Sequence, residues 1–443
     1  MKKLITAAAA AAIALIGTQL PALAAGTVYK TSLMTDEAHK TTVFDKYLVL
    51  EKEANVPNAA FTFSIEAGTA AAATDTTLAV LAGIGTPKLN ADTDGDAEIA
   101  FAPADTATDE ASKATGDTPV FATADTSDEK YVKKTLTLDF SGIAFPEPGI
   151  YRYILEETGD NQGVINGYQG EENDPVTKRT LDVYVEDYEN FYSGLTEAQK
   201  ADYTAPDGHQ LLITGYVFYE GDAAGAPKKT DDADTAKPDE SVKSSGITNL
   251  YETQDLTFSK TVTGNQGSKD KYFKFTVTIE NAVAGTVYDV DLSNADAAPA
   301  KNAATVYDPM TNPAKITVPA DATTVTQDFY LQHGQSVTIL GLAKGTKYTV
   351  TETPEDYTAS AAVTGGDVKT GDGIASEADI TLSSNAMQDD YMQDDATVAY
   401  INNREGVIPT GILLSAAAPM LFCSAMAGVL TVLVIRRVKK KDQ

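Results

Sequence analysis

The feature that most constrains the fold is a pattern of alternating apolar and polar residues that occurs once in each half of the chain. Segment 61–66, Phe-Thr-Phe-Ser-Ile-Glu, matches segment 275–280, Phe-Thr-Val-Thr-Ile-Glu, and a lysine lies fifteen residues before each. Further on, each half has a tyrosine-containing segment that ends in glutamate, and then a short apolar segment that carries asparagine. Side chains alternate between the two faces of a β-strand, so the pattern predicts half-buried strands. Its recurrence predicts two homologous β-domains in tandem, which meet near residue 250.

The remainder of the chain between the two ends also has the patterns of an all-β protein. Further alternating segments, bounded by glycine and proline, occur at 135–140, 181–185 and 273–279. Only 195–200 favours a short helical turn. Two stretches rich in Ala, Thr and Asp, near 67–128 and 293–325, are expected to be insertions or long hairpins. The acidic segment 222–245 is expected to be an exposed loop or a linker between strands.

Each half places one lysine, one glutamate and one asparagine in line with the apolar residues of a predicted strand. These residues are Lys46, Glu157 and Asn249 in the first half and Lys260, Glu352 and Asn402 in the second. Taken singly, each has an ordinary explanation, because lysine side chains extend to solvent and Glu or Asn after a strand usually belongs to a turn. The same three residue types recur in the same order on the same face, which favours burial of all six. The neighbours Glu156 and Asn403 have the opposite parity and are expected on the outer face.

Buried together, these three residue types can react with one another. An isolated charge in an apolar core is costly, so a buried lysine tends to become a neutral amine, which is a nucleophile. A protonated carboxyl can hydrogen-bond the amide carbonyl and make it more electrophilic. Attack of the amine on the asparagine carbonyl, with loss of ammonia, would form an isopeptide bond. Folding holds the groups together and supplies most of the rate. Such a reaction occurs once per site, so it is crosslinking without turnover.

The two ends of the chain predict export and membrane anchoring. Residues 1–24 have a basic start, a short apolar run and an Ala-Leu-Ala site, which together are typical of a secretory signal peptide. Near the other end, the apolar segment 412–435 is long enough to span a bilayer as a helix, and the basic tail 436–443 would stay on the cytoplasmic side. Just before the span, proline keeps the chain extended. The five residues directly before the span are Val407, Ile408, Pro409, Thr410 and Gly411. An ordinary single-pass anchor is the alternative interpretation.

Composition narrows the classes of function. Without the signal peptide and the basic tail, 27 of the 34 Lys and Arg and 62 of the 63 Asp and Glu remain, a net charge of −35. Such a surface repels nucleic acid and anionic membranes. The only cysteine, Cys423, lies in the predicted span, so the exported region has no disulfide. The acidic segment 92–96 lacks the spacing of an EF-hand and is expected to be a hairpin turn. The sequence indicates no metal, no cofactor and no enzyme.

Through these residues the chain resembles two known groups of Gram-positive surface sequences. Segment 407–411 with the following span and basic tail resembles a cell-wall sorting signal of the pilin type. The exported region resembles the two-domain major pilins (T-antigens) of streptococci, through segments 56–66, 145–157 and 247–249, with Lys260 eleven residues later, and Asn402 just before the sorting segment. The resemblance implies two tandem immunoglobulin-like (CnaB-like) β-sandwich domains, 25–250 and 251–406. It also implies bonds Lys46–Asn249, assisted by Glu157, and Lys260–Asn402, assisted by Glu352.

The resemblance also implies partners. In this family a sortase cleaves between the residues that correspond to Thr410 and Gly411 and joins the threonine to a lysine of the next subunit, and the last subunit to peptidoglycan or a basal subunit. Lys243 is the best match for that lysine, although its register is off by one residue. Lys237, Lys228 and Lys229 are alternatives, and the Tyr-Pro-Lys motif of many pilins is absent from the sequence.

The expected function is therefore that of a structural subunit of a covalent cell-surface pilus, which supports adhesion from the wall of a Gram-positive bacterium. A monomeric wall-anchored adhesin on the same scaffold is one alternative. A wall-anchored carbohydrate-binding or hydrolytic protein is another. The absence of tryptophan and of a paired-carboxylate motif disfavours the latter.

Overall fold

The computed structural model describes residues 30–33, 40–90, 93–94, 96–122, 128–171, 174–201, 203–227, 242–364, 368–369, 380–384 and 395–406. The predicted signal peptide, sorting segment, membrane span and basic tail lie outside these residues, as do Lys228, Lys229 and Lys237. Within the described part of the chain, no helix is long and apolar enough to cross a membrane. The chain divides into two compact units, Met1–Thr263 with Gly267–Arg404, and Gly264–Gln266 with Glu405–Gln443.

The described residues are nearly all β, as the alternation predicts. Strands are numbered in chain order, and four sheets belong to the larger unit. The first sheet has the spatial order β1 (Lys30–Leu33), β13 (Gln210–Glu220), β12 (Lys178–Asp187), β10 (Gly149–Thr158), β3 (Ala59–Ala67) and β7 (Ala97–Phe101), with β4 (Leu81–Ala82) also paired with β10. The second has the order β11 (Val164–Ile165), β14 (Gly246–Tyr251), β2 (Thr41–Glu51), β9 (Glu129–Asp139), β5 (Lys88–Leu89) and β6 (Thr93–Asp94), with β8 (Thr108–Asp109) paired with β9.

The second half of the larger unit contains the other two sheets. One has the order β18 (Lys315–Thr317), β17 (Val287–Asp291), β20 (Ser336–Ala343), β15 (Thr253–Thr263), β25 (Ala396–Asn403) and β22 (Thr358–Thr364). The other has the order β19 (Thr324–Leu331), β16 (Phe273–Glu280), β21 (Lys347–Glu352), β24 (Ile380–Ser384) and β23 (Val368–Lys369).

Each pair of sheets encloses its own hydrophobic core. The first core combines side chains of β2 and β9 with side chains of β3, β10 and β12, among them Phe44, Phe61 and Tyr153. The second combines β15 and β25 with β16 and β21, among them Phe258 and Phe275. Alternation places one face of each strand toward the core. Along β15, for example, buried and partly exposed residues alternate over all eleven residues.

Strand β2 departs from simple alternation. Five consecutive residues near its end are buried, because a smaller cluster covers its outer face. That cluster contains Tyr47, Val49, Tyr131, Tyr168 and Leu250. The second sheet is therefore covered on both faces at the position where β2 carries Lys46.

Helices are few in the part of the chain that the structure describes. The expected turn at 195–200 is helix α2 (Glu197–Lys200), whose N-cap Thr196 forms a capping box with Gln199. Helix α1 (Tyr188–Gly194) was not predicted, although Tyr188, Phe191 and Tyr192 have the i, i+3, i+4 spacing of a helix. Its start does carry a local signal, since the side chain of Asp187 accepts a hydrogen bond from the Glu189 amide as an N-cap. A short 3-10 helix spans Glu110–Ser112.

The outer side of the first sheet carries a buried ion pair. Arg152 on β10 forms two hydrogen bonds with Asp182 on β12, at 2.7 and 2.8 Å, and both residues are buried. The same guanidinium donates to the carbonyl oxygens of Ala224 and Gly225. It therefore fastens segment 222–227 over the sheet.

We predict that Arg152→Met lowers the free energy of unfolding by about 3–5 kcal/mol, because removal of one partner of a buried pair leaves the other charge poorly compensated. Thermal unfolding followed by circular dichroism measures the effect. Lys301→Met is the matched control, since Lys301 pairs with Asp308 at the exposed surface. Equal melting temperatures for the two variants would contradict this interpretation of the Arg152 pair.

Candidate crosslinking sites

The first site lies between the two sheets of the first core. Strands β2 and β14 are parallel neighbours, and Lys46 on β2 is paired with Ile247 on β14. Asn249 follows two residues later on the same face of β14, so its side chain lies beside that of Lys46. Glu157, near the end of β10, reaches in from the facing sheet.

These three side chains contact one another in the first core. Lys46 Nζ lies 2.7 Å from Glu157 Oε2, and Asn249 Nδ2 donates to Glu157 Oε1 at 2.7 Å. All three residues are buried, with exposures of 0–2 %. The ammonium of Lys46 also lies 4.4 Å from the centre of the Phe61 ring. The site is thus a charged pair and a carboxamide in an apolar, aromatic environment.

The second site brings the same three residue types together in the second core, but there both contacts are to one carboxylate oxygen. Lys260 Nζ donates to Glu352 Oε1 at 2.6 Å, and Asn402 Nδ2 donates to the same oxygen at 2.7 Å. All three residues are buried. Lys260 lies on β15 opposite Tyr400 of the parallel strand β25, two residues before Asn402. In both sites, therefore, lysine and asparagine lie on adjacent parallel strands with the same offset.

The structure corrects the register of the internal repeat. Glu157 is paired with Phe63, and Glu352 is paired with Phe275. The lysines lie over Phe61 and Phe273. Phe61 therefore corresponds to Phe273, and the matching of segment 61–66 with 275–280 was wrong by two residues. A shift of two keeps every side chain on its face, which is why the apolar pattern could not detect it.

The residues of opposite parity lie where the alternation places them. Glu156 is partly exposed, and its carboxylate lies 3.5 Å from Lys178 Nζ. Asn403 is partly exposed and accepts a hydrogen bond from Thr263 Oγ1. Neither contacts the buried lysines.

Burial changes the protonation of both lysines. Loss of hydration lowers the pKa of Lys46 to about 8, although the charge of Glu157 and its hydrogen bond act in the opposite direction. Loss of hydration likewise lowers the pKa of Lys260 to about 8, against the charge of Glu352. A substantial fraction of each amine is therefore neutral at mildly alkaline pH, and the neutral amine is the nucleophilic form.

The glutamates differ from the expected arrangement in one respect. The sequence predicts a protonated carboxyl that donates to the amide carbonyl. In the structure, the carboxylates of Glu157 and Glu352 instead accept from the amide nitrogens of Asn249 and Asn402. An ionised carboxylate can only accept, so it attracts the NH₂ group of the carboxamide. Each glutamate thereby contacts the two nitrogens that a crosslinking reaction would exchange.

Arg179 is a feature of the first site that sequence reasoning missed. It is buried on β12, and it donates to Ser244 Oγ and to the carbonyl oxygens of Val176, Lys178 and Gly246. Burial lowers the pKa of its guanidinium to about 10. Its charge also lowers the pKa of Lys46 slightly. Arg179 has the same parity on β12 as the core residues Leu181 and Val183, and this shared parity is the signal that could have identified it as buried.

Lys243 lies just before the strand that carries Asn249. Segment 242–244 pairs with the end of β13 through hydrogen bonds from Glu220 N to Val242 O and from Ser244 N to Phe218 O. The Lys243 residue itself is exposed. Of the four candidate lysines, it is the one that the described residues include, and it is held on the edge of the first sheet.

We compared the chain with protein-family models, curated proteins and solved structures. Residues 254–384 match the family model called Domain of unknown function (DUF7601). No curated protein is matched. Among solved structures, the chain is similar to the major pilin from Streptococcus pyogenes, with 19% identity, a TM-score of 0.44, and coverage of 83% of this chain and 99% of that chain.

Two further solved structures are similar. One is the T-13 major pilin protein from Streptococcus pyogenes, with 20% identity, a TM-score of 0.44, and coverage of 82% of this chain and 97% of that chain. The other is a pilus-presented adhesin, with 19% identity, a TM-score of 0.23, and coverage of 48% of this chain and 43% of that chain.

The lowered pKa of Lys46 predicts how stability depends on pH when its carboxamide partner is removed. In Asn249→Ala, the folded protein loses the Lys46 proton above about pH 8, whereas the unfolded chain keeps it up to its ordinary value of 10.5. The unfolded state then binds more protons, so the free energy of unfolding rises with pH across this window.

Melting temperatures of Asn249→Ala at several pH values between those limits test this. The matched control is Asn249→Ala/Lys46→Met, which retains every other titrating group. We expect the double variant to lack the rising component. Identical pH profiles for the two variants would show that Lys46 does not carry a lowered pKa.

Proposed function

We propose that this protein is the shaft subunit of a covalent cell-surface pilus, in which two immunoglobulin-like β-sandwich domains, 25–250 and 251–406, are each locked by an autocatalytic Lys–Asn isopeptide bond. The observation that carries the proposal is the pair of buried Lys–Glu–Asn clusters with the same strand offset. The protein is not an enzyme in this proposal, because each bond forms once and within the chain.

The geometry of the first site supports formation of an isopeptide bond with release of ammonia. Glu157 Oε2 takes a proton from Lys46 Nζ, which leaves a neutral amine beside Asn249. The amine attacks Asn249 Cγ to form the new C–N bond, and the C–Nδ2 bond then breaks. Glu157, whose Oε1 already contacts Nδ2, passes that proton to the leaving nitrogen and takes one from the new amide nitrogen. The products are an amide and ammonia, and the one remaining proton stays on Glu157 or leaves as ammonium. The same steps at the second site use Lys260, Glu352 and Asn402.

An ordinary buried ion pair is a weaker explanation of these clusters. Removing an ammonium and a carboxylate from water costs several kcal/mol per ion, and hydrophobic residues of similar size are often at least as stabilising. As ion pairs alone, the two clusters would therefore give the folded state no gain in stability over hydrophobic residues of similar size. Crosslinking removes the lysine charge permanently and thereby relieves the cost.

The position of each proposed bond fits a protein that bears tension. Lys46 lies on the strand β2 and Asn249 on β14, near the start and the end of the first pair of sheets in the chain. Lys260 and Asn402 occupy β15 and β25 in the second pair. A covalent bond between the first and last long strands would keep a pull on the chain termini from separating the strands between them.

The two pairs of sheets are also joined by polar contacts. Asn55 Nδ2 donates to Asp289 Oδ2 at 2.8 Å, and Gln162 Nε2 donates to the Asn281 carbonyl at 2.6 Å. Thr253 Oγ1 donates to Glu51 Oε2 at 3.0 Å. Contacts of this kind suit a shaft whose successive domains transmit load.

Assembly is proposed to use Thr410 of one copy and Lys243 of the next, joined by a sortase, with peptidoglycan or a basal subunit at the end of the fibre. The support is the sorting-type sequence 407–411 and the exposed, edge-strand position of Lys243. Localisation at the surface of a Gram-positive cell wall follows from the same sequence, with the signal peptide and the span 412–435. A role in adhesion is part of this proposal.

We predict that Glu157→Ala prevents the Lys46–Asn249 bond and leaves Lys260–Asn402 intact, and that Glu352→Ala does the reverse, because each glutamate carries the protons at its own site. Proteolysis of the full chain followed by mass spectrometry of crosslinked peptides measures both bonds in one sample. Glu156→Ala is the matched control, since it changes the neighbouring residue on the outer face. Bonds that form normally in both glutamate variants would contradict the proposed role of these residues.

We predict that cells which produce this protein with its sortase contain a ladder of covalent polymers that survives boiling in detergent. Lys243→Arg should collapse the ladder to monomer, because arginine keeps the charge but does not supply the acceptor amine. Lys133→Arg is the control, since Lys133 is a partly exposed lysine of the same sheet pair. A wild-type protein that remains monomeric beside an active sortase would favour the wall-anchored adhesin. A ladder that persists in Lys243→Arg would move the acceptor to another lysine.

A further inference from the structure

The carboxamide of Asn249 is oriented by more groups than Glu157 alone. Its Oδ1 accepts a hydrogen bond of 2.8 Å from the backbone N–H of Gly167, and its Nδ2 donates to Asn166 Oδ1 at 3.0 Å. Asn166 is itself fixed, because its Nδ2 donates to the Gly159 carbonyl. A backbone N–H can only donate and a carboxylate can only accept, so the two ends of the Asn249 amide cannot exchange places.

Gly167 is adapted to this role by its backbone. Its φ is +62°, in the left-handed region that favours glycine. A Cβ at this position would lie 2.5 Å from the carbonyl carbon and oxygen of Val176. The residue thus turns the chain sharply after β11, and the turn directs its N–H at the reacting amide.

The second site offers a natural comparison. On β22, Ala359 is paired with Asn402, and the strand continues through it. On β11, Ile165 is paired with Leu250, so Asn166 is the residue opposite Asn249. Alanine therefore replaces Asn166 at the second site. Among the described residues, none donates a hydrogen bond to Asn402 Oδ1, although this oxygen is buried.

We propose that Asn166 and Gly167 are further catalytic residues of the first crosslink, which form an oxyanion-binding and amide-orienting turn with no counterpart among the described residues of the second site. This rests on the proposed function, since it assigns a role within that reaction. When Lys46 Nζ attacks Asn249 Cγ, the electron pair of the C=O bond moves onto Oδ1. The Gly167 N–H already points at that oxygen and stabilises the charge that develops there. Asn166 Oδ1 holds Nδ2 toward Glu157, which protonates it as the C–Nδ2 bond breaks.

The magnitude of the effect follows from comparable groups. Removal of one donor to a developing oxyanion slows acyl transfer by about 10²–10³-fold. Loss of a neutral orienting hydrogen bond has a smaller effect, roughly fivefold. The first crosslink should therefore depend strongly on the Gly167 N–H and moderately on Asn166, whereas the second should depend on neither.

The test follows both crosslinks in the same molecule. The full chain is made by cell-free translation in detergent, samples are quenched in denaturant at intervals, and crosslinked peptides from each site are quantified by mass spectrometry. Glycolic acid incorporated at position 167 replaces the N–H with an ester oxygen and retains the conformational freedom of glycine. The matched control is an ester at Tyr168, whose N–H donates to the Thr248 carbonyl at 2.8 Å and does not contact the reacting amide. Asn166→Ala is a second variant, which reproduces the residue of the second site.

We expect the ester at 167 to slow the Lys46–Asn249 bond by about 10²-fold and Asn166→Ala to slow it roughly fivefold, relative to the Lys260–Asn402 bond in the same sample. The Tyr168 ester should leave this ratio unchanged. A first bond that forms at the wild-type rate in both the 167 ester and Asn166→Ala would overturn the assignment while leaving the proposed function intact. Absence of the first bond from the wild-type chain would instead overturn the crosslinking proposal, and this inference with it.

Discussion

The structure depends on how it accommodates two lysine ammonium groups in apolar cores. Lys46 and Lys260 are both buried, each beside an aromatic ring and each against a single glutamate. An unpaired ammonium in this environment would oppose folding, and an ion pair only partly offsets the loss of hydration. Burial lowers the pKa of both lysines to about 8, which moves them toward the neutral amine. In the proposed crosslinking, the group that opposes folding as a charge would act as the nucleophile.

Strand pairing brings the three side chains of each cluster together. The lysine and the asparagine come from adjacent parallel strands, which are far apart in sequence and near the two ends of each pair of sheets. The glutamate comes from the facing sheet, so the three groups meet only when both sheets have packed. This order of events would delay reaction until the core has formed, and a bond made then would preserve the folded arrangement. Cys423 is the only cysteine of the chain, so such a bond would serve the purpose that a disulfide serves elsewhere.

Much of the site could be predicted from the sequence, because alternation places Lys46, Glu157 and Asn249 on the apolar face and their recurrence in the second half identifies them as a set. The alignment of the two halves was wrong by two residues. A shift of two residues preserves the side-chain face, so only strand pairing shows that Phe61 corresponds to Phe273. The orientation of the carboxamides was also beyond the sequence, since only the folded chain shows that Nδ2 of Asn249 and of Asn402 faces the glutamate. Arg179 and the turn at Asn166 and Gly167 were missed, because their importance arises from contacts between distant segments.

Crosslinking, the domain boundaries and the sorting reaction stay predictions. So do the interpretations of the two ends of the chain, which lie outside the described residues.

The measurement that tests the central claim most directly is the intact mass of the full wild-type chain, compared with the mass calculated from its own sequence. The account predicts a deficit of two molecules of ammonia, one for each buried lysine. A folded protein with the unmodified mass would contradict it, and would reduce both clusters to buried ion pairs within an anchored β-protein.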